Sequence, residues 1–137
     1  MNLNRFQLAA MVLACLAVGS MSFVVRAADT PAAVKHVDAV GAKKLVDEKK
    51  VVVLDVRTPK EFASGHIAGA TNIDFNSKDF EKRVSELDTN KAYLVHCAAG
   101  GRSTRCLPIL EKKHFNLIYH LDGGINGWER AGNPVEK

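Results

Sequence analysis

The residues best suited to chemistry lie in one octet, "HCAAGGRS", from His96 to Ser103. Cys97 supplies a nucleophilic sulfur. Ala98, Ala99, Gly100 and Gly101 put almost no bulk between it and Arg102. Without bulk, successive backbone N–H groups can turn toward one point and form an anion nest. A helix beginning near Arg102 adds its free N–H groups and the positive end of its dipole. Arg102 adds a permanent charge. All three favour thiolate over thiol, so the Cys97 pKa is expected to fall below about 8.5. Ser103 stands at the helix start as a member of the same loop. A thiolate at a strand end, facing solvent, is a nucleophile suited to covalent transfer.

The spacing narrows the substrate. The pattern His-Cys, then Arg-Ser, resembles the phosphatase signature, which places five residues between cysteine and arginine. Here there are four. A shorter loop makes a smaller ring of N–H groups, better matched to a single sulfur atom than to a tetrahedral phosphate. Phosphatase or arsenate reductase chemistry is therefore the disfavoured alternative.

A second polar group follows an apolar run: Asp55, Arg57 and Glu61 in "DVRTPKEF", with His66 a little further on. Arg57 is either a substrate-anion binder or an ion-pair brace that fixes the turn, and the brace is the preferred reading. His66 reads as a loop histidine supporting the site. His96 precedes the nucleophile but faces the other side of the sheet if the strand persists. His36, His114 and His120 have no ligand spacing with one another, so no metal site is expected. No organic cofactor is implied either. Cys97 and Cys106 flank a glycine turn and a helix start, a geometry that argues against a disulfide. Trp128 reads as a core plug.

Positioning such groups requires particular elements. "VVVLDV" (Val51 to Val56) and "AYLVH" are continuous apolar runs suited to strands buried on both faces, as in a parallel sheet. "ATNIDF" and "NLIYHL" offer two more strands. Helices are predicted over Ala39 to Lys49, capped by Asp38 with Val40, Leu45 and Val46 on the inner face. Another starts at "TPKEF", with Thr58 as N-cap, Pro59 at the first position and Glu61 completing a capping box. "SKDFEKRVSEL" is predicted as a helix capped by Ser77, with Phe80, Val84 and Leu87 inward. A helix from about Arg102 to Lys113 contains Pro108, which should kink it or loosen its first turns. "INGWERAG" ends the series. Alternating strands and helices predict a three-layer α/β domain with a mostly parallel sheet and helices on both faces. In such sheets ligands bind beyond the carboxyl ends of the strands, where both polar groups fall.

The chain is 137 residues, 47% hydrophobic and 25% charged, which excludes a disordered chain. Met1 to Arg5 carries one basic side chain, and Phe6 to Val25 carries no charge. With "VRAAD" following, residues 1–27 read as a secretory signal peptide, residues 28–36 as a linker and 37–137 as one domain. The expected destination is a bacterial periplasm. The alternative is an uncleaved inner-membrane anchor facing the periplasm, and only then a membrane association. Removing the leader leaves 17 basic and 15 acidic residues. The basic ones are scattered, which argues against nucleic-acid binding.

At this point three motifs, in order, resemble the rhodanese-domain family. "LDVRTPKEFASGHIAGATNI" (Leu54 to Ile73) is similar to its first signature, "CAAGGRS" to its six-residue active loop, and "LDGGINGWERAGNP" (Leu121 to Pro134) to its C-terminal signature. The chain looks most like the small, exported, single-domain members. The resemblance implies a sulfurtransferase in which Cys97 takes sulfur from a small anion such as thiosulfate. Cys97 would hold that sulfur as a persulfide inside its loop and pass it to cyanide or a thiol. The second reading is a persulfide carrier serving a protein partner. A monomer is expected. His114 stands where many members have a glycine, and Cys106 where small buried residues are common.

Overall fold

The computed structural model describes residues 32–137. The leader expected over 1–27 lies outside them. The strands are β1 (Ala33–Val37), β2 (Val52–Asp55), β3 (Thr71–Asn72), β4 (Ala92–His96) and β5 (Leu117–Leu121). The helices are α1 (Ala39–Asp47), α2 (Pro59–Ser64), α3 (Phe80–Ser85), α4 (Gly101–Lys112) and α5 (Gly124–Arg130). The sheet runs in the order β1-β5-β4-β2-β3, and every pairing is parallel. The expected α/β architecture is present, with helices on both faces.

The continuous apolar runs explain this layering. Along β4, Tyr93 and Val95 join one core with Leu54, Phe80, Val84, Leu110 and Ile118. Leu94 joins the opposite core with Ala42, Val53, Leu121, Ile125 and Trp128. Alternation along one strand thus feeds two cores, which requires a strand covered on both sides. α3 and α4 cover the first face, α1 and α5 the second. Trp128 is fully buried and its indole N–H donates to the Pro134 carbonyl at 2.9 Å, so it is a core plug with its one polar atom satisfied.

Three local expectations need correction. Ala33–Val37 lies mostly within the stretch read as linker, yet it forms β1. It is an edge strand with Ala33, Lys35 and His36 exposed, so it lacks the apolar run that marks its neighbours. In α1, Asp38 accepts from the Gly41 N–H at 2.8 Å as a cap, but Val40 faces solvent and Ala42 is the buried residue. Ser77 does not cap α3; its hydroxyl accepts from the Asp79 N–H in a preceding turn, and the helix starts at Phe80. α4 stays helical through Pro108. His114, just past its end, has φ of 60°, a left-handed position that suits glycine better. Among the described residues no helix is long and apolar enough to cross a membrane.

Candidate active site

Cys97 follows the last residue of β4, the central strand, at the carboxyl edge of the sheet. The loop turns at Gly100, whose φ of 117° is accessible mainly to glycine, and enters α4 directly. This turn aims donors at the sulfur. The Gly100 N–H lies 3.1 Å from Sγ and the Ser103 hydroxyl 3.4 Å. The backbone N–H groups of Ser103 and Ala99 point there too. Burial alone would push the thiol up, but these hydrogen bonds outweigh it and hold the Cys97 pKa below its ordinary value. The sulfur-bearing residue is more enclosed than the sequence implied: Cys97 is 1% exposed.

The loop is held from behind by α5. The Ile125 N–H donates to the Cys97 carbonyl at 2.9 Å and the Asn126 N–H to the Ala98 carbonyl at 3.0 Å. These bonds turn the loop carbonyls away from the sulfur and leave its amides facing it. The approach is so close that a Cβ on Gly124 would lie 2.4 Å from the Ala98 oxygen. Ile125 and Asn126 hold the loop and were not singled out from the sequence, where Gly124 stood only as part of the C-terminal signature. The signal was the "DGGINGW" motif itself, whose role only the fold reveals.

The charged residues pair differently from expectation. Arg102 does not stand free beside the sulfur. It forms a bidentate pair with Glu61, both bonds at 2.7 Å, joining α4 to the start of α2. The pairing holds the Glu61 carboxyl down at about 2 and raises Arg102 further. Thr58 and Glu61 also complete the predicted capping box, so one carboxylate serves both the cap and the active loop. Arg57 is a brace. It is buried with Asp55, bonded through Nε and a terminal nitrogen at 3.0 and 2.7 Å, and it also donates to the Gly65 carbonyl at 2.7 Å. His66 is engaged elsewhere: its ring stacks on Phe62, its Nδ1 lies 3.1 Å from the Phe62 carbonyl, and its backbone pairs with Glu136.

His96 is fully buried, with Nδ1 donating to the Cys97 carbonyl at 3.1 Å, and burial pushes its pKa down. Its Nε2 has no hydrogen-bond partner among the described residues and sits 3.7 Å from the Asp55 carboxylate. Cys106 lies in the same apolar core as Cys97, but among the described residues neither thiol is in a disulfide. Burial, with the nearby Cys97 charge, pushes the Cys106 thiol up to about 12.

The structure also joins groups that sequence spacing kept apart. His36 and His120 are register partners in neighbouring parallel strands, and Asp122 lies two residues beyond. Asp122 Oδ1 sits 2.8 Å from His36 Nδ1 and 3.2 Å from His120 Nδ1. His120 Nε2 in turn lies 2.9 Å from the Ser103 hydroxyl. The expectation of no ligand set overlooked this, because parallel register pairs residues 84 positions apart.

The profile of the Rhodanese-like domain matches residues 38–131. A protein named sulfurtransferase from Allochromatium vinosum is 30% identical over 94 residues, covering 69% of this chain and 86% of that one. A thiosulfate sulfurtransferase from Pseudomonas putida is 35% identical, covering 74% and 90%. A tRNA uridine(34) hydroxylase from Cytophaga hutchinsonii is also 35% identical, but this chain spans only 34% of its length. The crystal structure of a rhodanese-related protein from Thermoplasma volcanium superposes with a TM-score of 0.67 at 31% identity, covering 74% of this chain and 97% of that one.

Proposed function

This chain belongs to the rhodanese-like domain family, with sulfurtransferases among its relatives, and we propose that it moves sulfur from thiosulfate to cyanide or a small thiol through a persulfide on Cys97. The observation that carries this reading is the ring of Ala99, Gly100 and Ser103 donors around one sulfur atom. The Cys97 thiolate attacks the outer sulfur of thiosulfate. A new S–S bond forms, the donor's S–S bond breaks, and sulfite leaves with the electron pair. The persulfide anion keeps the charge in the nest, whose donors need no rearrangement to hold it. Cyanide then attacks the outer sulfur, thiocyanate departs and the thiolate is restored. No metal or organic cofactor enters these steps.

Near-complete enclosure of Cys97 favours small acceptors over a bulky protein thiol. Intact mass after thiosulfate treatment tests the proposal. The expected result is a gain of one sulfur atom, lost in Cys97→Ser and discharged by cyanide. Absence of the adduct together with hydrolysis of an aryl phosphate would overturn it. Discharge slow with cyanide but fast with a protein thiol would replace it with the carrier reading. We propose also that residues 1–27 direct export to the periplasm; N-terminal sequencing of exported protein should begin after Ala27, and a start at Met1 would favour the anchor.

A further inference from the structure

We propose that His36, His120 and Asp122 form a site for a borderline divalent cation of the zinc class, joined to the catalytic cysteine through Ser103. The inference does not rest on the sulfur-transfer reading.

The sheet builds the site. Register pairing of β1 with β5 sets the two imidazoles side by side on one face, and Asp122 follows His120 at the next same-face position. The three ligand atoms all lie within 4.8 Å of one another. The two nitrogen–oxygen separations, 2.8 and 3.2 Å, approach the roughly 3.3 Å edge of a tetrahedron with bonds of about 2.0 Å, as zinc prefers. Two imidazoles and one carboxylate suit zinc better than calcium or magnesium, which favour all-oxygen shells. His36 and Asp122 are more than half exposed, which leaves a fourth position to water.

Proton bookkeeping at His120 points the same way. This ring is 4% exposed, with Nε2 against the Ser103 hydroxyl and Nδ1 aimed into the cluster. Ser103 has one hydroxyl proton. When it is donated to Cys97 Sγ, the Ser103 oxygen must accept from His120, so Nε2 carries the hydrogen. The Nδ1 lone pair then faces the Asp122 carboxylate. Two acceptors in contact need a proton or a metal cation between them, and the third ligand atom, His36 Nδ1, converges on the same place, which a metal ion would bridge to all three. Ligating imidazoles characteristically donate their other N–H to a fixed acceptor, the role Ser103 fills. A cation here would therefore turn the Ser103 hydroxyl proton away from His120 and toward Cys97 Sγ and the Gly100 carbonyl, at 3.4 and 3.1 Å.

The test is calorimetric titration of zinc chloride into tag-free Cys97→Ser protein, which removes the thiolate as a competing ligand. One-to-one binding is expected. It should weaken by about tenfold or more in the added His36→Ala or Asp122→Asn background, since each loses a ligand of three. The added His114→Gly change removes an exposed histidine at a left-handed position and should leave binding unaltered. Cobalt in place of zinc should give the visible bands of four-coordinate geometry. No zinc binding, or binding that survives His36→Ala undiminished, would overturn the proposal and leave the cluster a surface ion pair. Because the Cys97→Ser background cannot transfer sulfur, failure here leaves the persulfide reading intact.

Discussion

Cys97 and Cys106 are nine residues apart, share one apolar core and are equally closed to solvent, at 1% and 0% exposure. Their thiols nevertheless move in opposite directions. Burial raises Cys106 to about 12, where nothing opposes it. Burial acts on Cys97 too, but amide and hydroxyl donors reverse it. The difference lies in the backbone. Cys106 sits inside α4, where every nearby N–H is committed to the helix. Cys97 sits just before α4, where the first N–H groups have no helical partner and a glycine turn aims them at the sulfur. Low accessibility alone therefore says little about reactivity; the supply of free donors decides it.

The most damaging way to erase this contrast is Gly124→Ala. Its Cβ would meet the Cys97 and Ala98 carbonyls at 2.6 and 2.4 Å, and the residue has φ of 58°. Strain and overpacking together should cost about 3 kcal/mol of stability. A loop displaced by about 1 Å should lose about 100-fold in activity. The pH midpoint for Cys97 alkylation should rise toward that of an unaided buried thiol. Gly101→Ala is the control: a Cβ there meets nothing within 4 Å, so activity should stay within about twofold. Equal losses in the two variants would show that loop glycines, not the α5 clamp, hold the nest.

Ser103→Ala removes one donor and keeps the loop. A lost hydrogen bond to an anion is worth about 1.5 kcal/mol, so the Cys97 midpoint should rise by about one pH unit. Alkylation below that midpoint should slow about tenfold. No shift would mean that the backbone amides suffice. Cys106→Ala should instead cost about 1 kcal/mol of stability, through lost packing, and leave the Cys97 midpoint where it was. Native protein lacking residues 1–27, and with them Cys15, should accordingly consume one equivalent of iodoacetamide at pH 8. Rapid uptake of a second would break the contrast from the other side.

How much of this was legible in the sequence follows the same divide between local and non-local physics. The buried strands, the Thr58–Glu61 capping box and the small-residue loop are local patterns, and each is present. The edge strand β1 was missed because a strand with one neighbour and exposed side chains needs no apolar run. A solvent-facing cysteine was expected and Cys97 proved enclosed. Arg102 was read as a charge for the cysteine, and its pairing with Glu61, 41 residues away, was not anticipated. His36 and His120 meet only through strand register. Distances set by crossovers leave no periodic trace along the chain.

The smallest effect probes the Arg102 charge near the nucleophile. Glu61 is held at about 2 by Arg102, whereas an unpaired glutamate titrates near 4.5. A depressed folded-state pKa gives stability that is present above pH 4.5 and lost as pH falls toward 2. Denaturation of wild type and Glu61→Gln should therefore differ at pH 6 and converge by about pH 2. The difference should be within about 1 kcal/mol, because both side chains are partly exposed and water screens the pair. The sharper readout is the thiol. Glu61→Gln releases Arg102 from its partner and leaves its full charge near Cys97. If the donors around Sγ set the thiol, the alkylation midpoint moves by less than about half a unit, an energy below 1 kcal/mol. A fall of a unit or more would assign the difference between Cys97 and Cys106 to the arginine rather than to the backbone.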